Sequence, residues 1–347
     1  MAATLGSFWQ QARRNVAAGA PSPFIQAVQA VELRLRRGLG PAYYHTAGLW
    51  RPSISRADRL GHVNDHEYHA FLDRMNDPAF QKVSQHKITE KAVLELMGVP
   101  TPRFLAHLRA GPTAGPMIGD AAALAAFARA HAGQRIAVKE VEGFGGRGFR
   151  AFDIAPDGAL FRSLKDNSGV SAETLWADVA AVGGGGYIVE AYLEQHPWYA
   201  ALNASSVNTF RVWVCEHGGT SEIVLAYLRV GRAGDLVDNK SAGGILTPVR
   251  ADGTFGPLTT AKVDRLMMDA HPDTGVRVAG EKPPLLDTVH DVARQALAAF
   301  PHTRFAGLDI AVGTAGPVVI EMNVRPGREG AVRCDVPFRD WIRARGL

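Results

Sequence analysis

The sequence predicts an α+β fold: a mainly helical N-terminal region followed by two α+β subdomains. Three observations predict it. Helix-forming segments dominate until Arg135, where the texture changes to short apolar runs punctuated by glycine. Those runs look antiparallel, with helices flanking them rather than alternating strictly with strands as a parallel sheet requires. The chain of 347 residues is long enough for two or three small subdomains sharing a cleft. The divisions implied are 1–85 (helical), 86–135 (an N-terminal α/β segment), 136–195 and 196–347.

Taken in order, 26–37 is rich in helix formers, with Ile25, Val28, Val31 and Leu35 on one face and Arg34, Arg36 and Arg37 near its end. It reads as a packed helix with a solvated basic edge; a basic amphipathic helix lying on a membrane or a partner is the other reading. A helix over 87–97 is stopped by Gly98, and Pro100 and Pro102 force an extended exit. Asp120 caps an alanine-rich helix over 121–131. Strands are expected at 136–139, 187–190, 209–215, 222–230, 308–312 and 318–322, with a helix over 286–300.

Composition bounds the function. Hydrophobic residues make up 46% and charged residues 21%, as in ordinary soluble domains. With 38 basic against 34 acidic residues, the net charge of +4 is too balanced for nucleic-acid binding but suits an anionic small molecule. Two cysteines, Cys215 and Cys334, make neither a disulfide framework nor a thiolate metal cage. Residues 1–10 lack the pattern of a signal peptide, and no stretch approaches the ~18 apolar residues of a membrane span, so a cytoplasmic protein with no integral membrane segment is expected.

The run Glu142-Gly143-Phe144-Gly145-Gly146-Arg147-Gly148-Phe149 contains a nominal G-x-G-x-x-G. The dinucleotide fingerprint needs a helix after it, and here a strand-like run follows; a Walker A loop needs Gly-Lys-Ser/Thr, which is absent. What remains is a glycine-rich hairpin. Its bare backbone can approach a phosphate chain, with Lys139 upstream as a point charge, unless it is only a structural hairpin.

Near the C-terminus, 307–313 and 317–323 are two strand-like runs joined by Thr314-Ala315-Gly316. If the loop is centred on Ala315, Asp309 faces Glu321, and Asn323 shares the face of Glu321. Two opposed acids repel each other, so a cation between them is one solution. Two carboxylates and an amide oxygen are hard ligands, suited to Mg2+ rather than zinc or copper. A solvated face, or a salt bridge to a distant lysine or arginine, is the alternative. Arg211, on an apolar strand, must likewise meet an anion, either a ligand or a structural carboxylate.

Together, Lys139, the glycine loop, Ile188-Val189-Glu190-Ala191-Tyr192-Leu193-Glu194 and Asp309…Glu321-Met322-Asn323 resemble the ATP-grasp superfamily. The segments 195–211, Arg229-Val230-Gly231, Val237-Asp238-Asn239 and Gly243-Gly244 are most similar to its sugar-transfer associated branch, related to α-L-glutamate ligases. The resemblance covers roughly residues 60–335. It implies an ATP-grasp fold in which the subdomains 136–195 and 196–347 clasp ATP. It also implies that Lys87, Lys139, Gly143, Gly145, Gly146 and Gly148 hold the nucleotide phosphates. Glu190 would accept from the adenine amino group, the backbone of Ala191 to Leu193 would read the adenine edge, and Glu194 or His196 would take the ribose. Arg211 and Arg229 would serve catalysis by neutralising the γ-phosphate and an acyl phosphate, Asn239 would bind that phosphate too, and Asp309, Glu321 and Asn323 match the magnesium positions.

The implied activity is an ATP-dependent carboxylate–amine ligase working through an acyl phosphate, on an amino acid or acidic sugar in polysaccharide or natural-product biosynthesis. ATP and Mg2+, with Mn2+ admitted, are the expected cofactors. The partners are ATP, a small-molecule carboxylate and an amine, and a homodimer is compatible with all of this. A kinase-like phosphotransferase and a non-catalytic nucleotide-binding partner of glycosyltransferases are the rivals. Arg325, Arg328 and Arg333 are equally readable as an acceptor site or as surface arginines, and Trp198-Tyr199 as a sugar site or as packing.

Overall fold

The computed structural model describes residues 5–143, 145–146, 148–182, 185–238, 243–260 and 267–347. Its N-terminal region is helical: α1 (Leu5–Ala17), α2 (Pro23–Arg37), α3 (Pro41–Thr46), α4 (Arg56–Leu60), α5 (Asp65–Met75), α6 (Gln81–Gln85) and α7 (Lys87–Leu96). Local chemistry sets the helix ends. The Ser22 hydroxyl caps α2 at Ile25 N, Gly38 ends it at φ +70°, and Asn64 with Glu67 forms a capping box on α5.

The expected face of α2 is reversed. Gln26, Ala30 and Leu33 are buried, packing with Phe8, Ala12, Tyr44 and Leu49, while Ile25, Val28, Val31 and Leu35 face solvent. The buried Gln26 amide is satisfied, donating to the Ala12 carbonyl at 2.9 Å and the Pro21 carbonyl at 2.8 Å, and so turns that side inward.

The first sheet contains β1 (Phe104–Leu108), β2 (Met117–Ile118), β3 (Arg135–Glu140), β4 (Arg150–Ile154), β5 (Phe161–Ser163), β6 (Gly169–Val170) and β7 (Tyr187–Ala191). Its order is β2-β1-β7-β3-β4-β5-β6, antiparallel except for β1–β2. Two helices, α8 (Ala121–Ala130) and α9 (Ala172–Ala180), share its apolar cluster, and Asp120 caps α8 at Ala123 N.

After α10 (Pro197–Leu202) comes a second sheet of β8 (Thr209–His217), β9 (Thr220–Val230), β10 (Ile245–Pro248), β11 (Leu258–Thr260), β12 (Met267–Met268), β13 (Phe305–Gly313) and β14 (Gly316–Asn323). The order is β12-β11-β10-β9-β8-β13-β14, and α11 (Leu286–Ala298) precedes β13. Alternation divides the sheet. Phe210, Val212, Leu228, Leu308 and Ile310 bury one face with α11. The other face is apolar at Trp213, Leu225 and Phe305, where α5 and the C-terminal α13 (Phe338–Ala344), which follows α12 (Glu329–Arg333), cover it. Further along the same face it becomes polar at Thr209, Arg211, Arg229 and Asp309, and there a cleft opens.

The expected pairing of Asp309 with Glu321 is observed, by a different route. The turn is two residues, with Gly313 opposite Gly316. That register alone would misalign the acids by one residue. A bulge then lets Asp309 pair with Glu321 while Ile310 pairs with Val319, so Ile320 is the extra residue.

Candidate active site

A cleft of about 350 Å3 lies between the two sheets. The first sheet and α7 supply Lys87, Lys139, Gly143, Gly145, Gly146, Glu190, Ala191 and Leu193; the second supplies Thr209, Arg211, Arg229, Asp309, Glu321 and Asn323. Apart from Thr209, all of these are positions that the resemblance implied. Three others that it implied, Gly148, Glu194 and His196, do not line the cleft. Asn239 lies outside the described residues, as do Phe144 and Arg147 of the glycine loop. His196 acts locally instead, where its Nδ1 accepts from Trp198 N and caps α10.

On the first side, Glu190 is the hub. It is buried, with Lys91 Nζ at 2.8 Å from one carboxylate oxygen and Lys139 Nζ at 2.6 Å from the other. Burial alone would raise its pKa, but the Lys139 and Lys91 ammoniums outweigh burial and hold the carboxyl below its usual range. A neutral ligand group must therefore compete with two lysines for Glu190. Lys87 Nζ donates to the Gly143 carbonyl at 2.5 Å and so anchors the near end of the glycine loop. In the segment beyond Glu190, Ala191 N and Tyr192 N already donate to the Arg103 and Arg135 carbonyls.

On the second side the cross-strand ladder runs Tyr227, Arg211, Asp309, Glu321, with Thr209 beside Arg229. Arg211 meets a structural carboxylate: its Nε donates to Asp309 Oδ1 at 2.5 Å and its Nη2 to Oδ2 at 3.1 Å. Arg229 Nη2 reaches the same Oδ2 at 2.8 Å. Asp238 completes the network, accepting from Thr209 N at 3.0 Å and from Thr209 Oγ1 at 2.5 Å. Burial opposes ionisation of Asp309, yet Arg211 and Arg229 keep its pKa low. At Glu321 burial wins, the Asp309 charge adds to it, and the pKa is raised against the pull of Lys87.

Four participants escaped sequence reasoning. Lys91 and Glu90 share the buried face of α7, and their only signal was the i, i+4 spacing of Lys87 and Lys91 into an apolar stripe. Burial first, then the Glu321 charge, push the Glu90 carboxyl well above its usual range; its Oε1 accepts from Met322 N at 3.1 Å and its Oε2 has no partner among the described residues. Thr209 and Asp238 gave no signal beyond lying in quoted segments. The arginines after the hairpin are held by acids or carbonyls: Arg325 by Asp73, Arg328 by Asp65 and over the Tyr43 ring, Arg333 by the Thr260 carbonyl. Trp198 stacks on Phe255 and Tyr199 OH donates to the Pro284 carbonyl, so this pair is packing.

The hairpin residues fit a hard dication. Asn323 presents a buried side-chain nitrogen with no hydrogen-bond partner among the described residues, and rotating the amide would present its oxygen instead. Glu321 has no ion pair there either. An ionised carboxylate offers about four lone-pair positions, and the arginines occupy three at Asp309, which leaves room for one more bond. No cluster of three His, Cys, Asp or Glu side chains suited to a metal occurs among the described residues.

A family model described as sugar-transfer associated ATP-grasp matches residues 66–336. No curated protein matches the chain. Similar solved structures include an L-amino acid ligase from Bacillus licheniformis, at 11% identity and TM-score 0.40 over 73% of this chain and 43% of that one. A biotin carboxylase–β-γ-ATP complex from Campylobacter jejuni follows, at 17% and 0.43 over 73% and 43%. D-alanyl-alanine synthetase A from Vibrio cholerae matches at 14% and 0.42 over 76% and 61%. The chain spans less than two thirds of each of these three proteins.

Proposed function

The chain belongs to the sugar-transfer associated ATP-grasp family, and from that premise we propose that it is a Mg2+- and ATP-dependent ligase joining a carboxylate to an amine. One observation carries the reading. One cleft presents Lys87, Lys139 and a glycine loop on one wall, and on the other Arg211 and Arg229 beside Glu321, which has no ion pair among the described residues, and Asn323, whose buried amide nitrogen has no hydrogen-bond partner among them. That is the charge distribution a nucleoside triphosphate and its cation require.

In the proposed reaction a substrate carboxylate oxygen bonds to the γ-phosphorus of ATP and the bond to ADP breaks. The amine nitrogen then bonds to the acyl carbon, phosphate leaves, and the nitrogen loses a proton. Bound Mg2+ would supply charge neutralisation at the phosphates. The protein supplies position: Lys87 and Lys139 hold the phosphate chain, and Arg211 and Arg229 neutralise the transferring group from the facing sheet. Because the Ala191 and Tyr192 N–H groups are engaged, the base edge would be read from Leu193 onward. The glycine loop would exclude water from the acyl phosphate. The family's association with sugar transfer favours a substrate from sugar or polysaccharide assembly, an amino acid or acidic sugar.

The test is ATP consumption with mass detection across paired libraries of amino acids, uronic acids and amines. An amide that forms together with ADP and phosphate supports the ligase. A stable phosphorylated product with no amide from any pair would replace it with a phosphotransferase.

A further inference from the structure

The reversed face of α2 leaves large apolar side chains in water. Phe24, Val28, Val31 and Leu35 are 71%, 55%, 57% and 81% exposed, and their spacing of four, three and four residues sets them in one stripe along the solvent side. The opposite side of the same helix is already used in packing Gln26, Ala30 and Leu33. On neighbouring α1, Trp9 and Val16 are also exposed. An exposed apolar stripe of this length marks an interaction surface.

Charge indicates what it meets. Residues 1–64 carry eight arginines and only two acids, whereas 65–347 carry 30 basic and 32 acidic residues, so the positive charge of the chain resides in this region. Glu32, the sole acid of α2, is covered by Arg36 at 3.3 Å and by Arg56, and Arg34 is exposed beside the stripe. The region also lies outside the family match, which begins at residue 66. No helix of the described residues is long and apolar enough to cross a membrane.

We propose that the α2 face docks the protein on an anionic lipid surface, the apolar stripe entering the headgroup boundary and the arginines meeting lipid phosphates. This combination of a narrow apolar stripe with an arginine rim suits interfacial binding. A second copy of the chain fits poorly, since it would bring two such arginine-rich regions together.

Co-sedimentation of the full chain with vesicles tests this independently of any enzymatic reading. Vesicles of phosphatidylcholine and phosphatidylglycerol in equal parts should carry the protein down, and phosphatidylcholine alone should not. The double substitution Val28→Glu/Leu35→Glu should weaken partitioning at least about tenfold. Its circular dichroism and thermal unfolding should match the parent, because both side chains face solvent. Arg34→Ala/Arg36→Ala should weaken binding and flatten its salt dependence. No binding to anionic vesicles, or binding that Val28→Glu/Leu35→Glu leaves intact, overturns the proposal. So does a dimer, seen by light scattering, that the same substitution dissolves.

Discussion

At the residue scale, the two opposed acids are not equivalent. Asp309 is tied to Arg211 and Arg229, whereas Glu321 has no cationic partner within salt-bridge reach among the described residues and is held toward its neutral form by burial and by Asp309. Glu321→Gln should therefore leave thermal stability unchanged or higher, while Mg2+-dependent ATP consumption is lost. Asp309→Asn should cost about 3 kcal/mol, because it removes the one carboxylate that ion-pairs with half-buried Arg211 among the described residues and leaves Arg229 only Asp238, at 3.5 Å. Thermal unfolding without nucleotide or metal separates the two; equal destabilisation by both would contradict the assignment. The lysines divide in the same way. Lys91→Met breaks a buried pair with Glu190 and should destabilise by about 3 kcal/mol with little change in KM for ATP, whereas Lys139→Met should raise that KM. The hairpin acids were legible in the sequence because opposed like charges need a reason. Lys91 and Glu90 were not, because a lysine in an apolar helix stripe looks the same whether it snorkels or pairs.

At the element scale, pairing of β13 with β14 was legible from two alternating runs, and the error lay in the turn. A three-residue loop and a two-residue turn with a bulge at Ile320 give the same partner for Asp309, so one correct contact concealed a different geometry. A tight point of the arrangement is Gly307, opposite Asn323. A Cβ there would stand 2.8 Å from Pro326 Cβ and 3.2 Å from both Arg211 Cδ and Trp213 Cδ1. Gly307→Ala should cost roughly 1–3 kcal/mol by overpacking and, by pushing Arg211, should lower ATP turnover as well. Wild-type turnover in a folded Gly307→Ala protein would show that Arg211 need not stay where it is. The face of α2 was illegible for a different reason. Periodicity reports that a stripe is apolar, not which neighbour covers it. The buried side was decided by hydrogen bonds from Gln26 to the Ala12 carbonyl of α1 and to Pro21, which no local pattern records.

At the scale of the whole molecule, the two-sheet cleft was readable from the order of motifs, while the seating of the N-terminal region was not. That region is fastened by Arg51 to Asp335 at 2.9 Å and by Arg37 to Glu67, and it encloses two buried histidines. Burial pulls both His45 and His62 down to about 4. His62 Nδ1 lies 2.9 Å from Tyr43 OH, and the hydroxyl can donate only to an unprotonated nitrogen. In the unfolded chain each histidine takes a proton near 6.5. Between those values the unfolded state binds more protons than the folded one, so stability rises with pH and is lost on acidification from about 6.5 to about 4. For His62 alone the loss integrates to roughly 3 kcal/mol. Glu90, Asp238 and Glu321, whose pKa values are raised, contribute the opposite slope, so only a comparison of variant with parent is diagnostic. Denaturant unfolding of His62→Gln and parent at a series of pH values should show their stability gap narrowing as pH falls from about 6.5 toward about 4, because glutamine can still accept from Tyr43 but cannot be protonated. A gap independent of pH across that window would mean that His62 is not held neutral, and that acid does not loosen the arginine-rich region at this histidine.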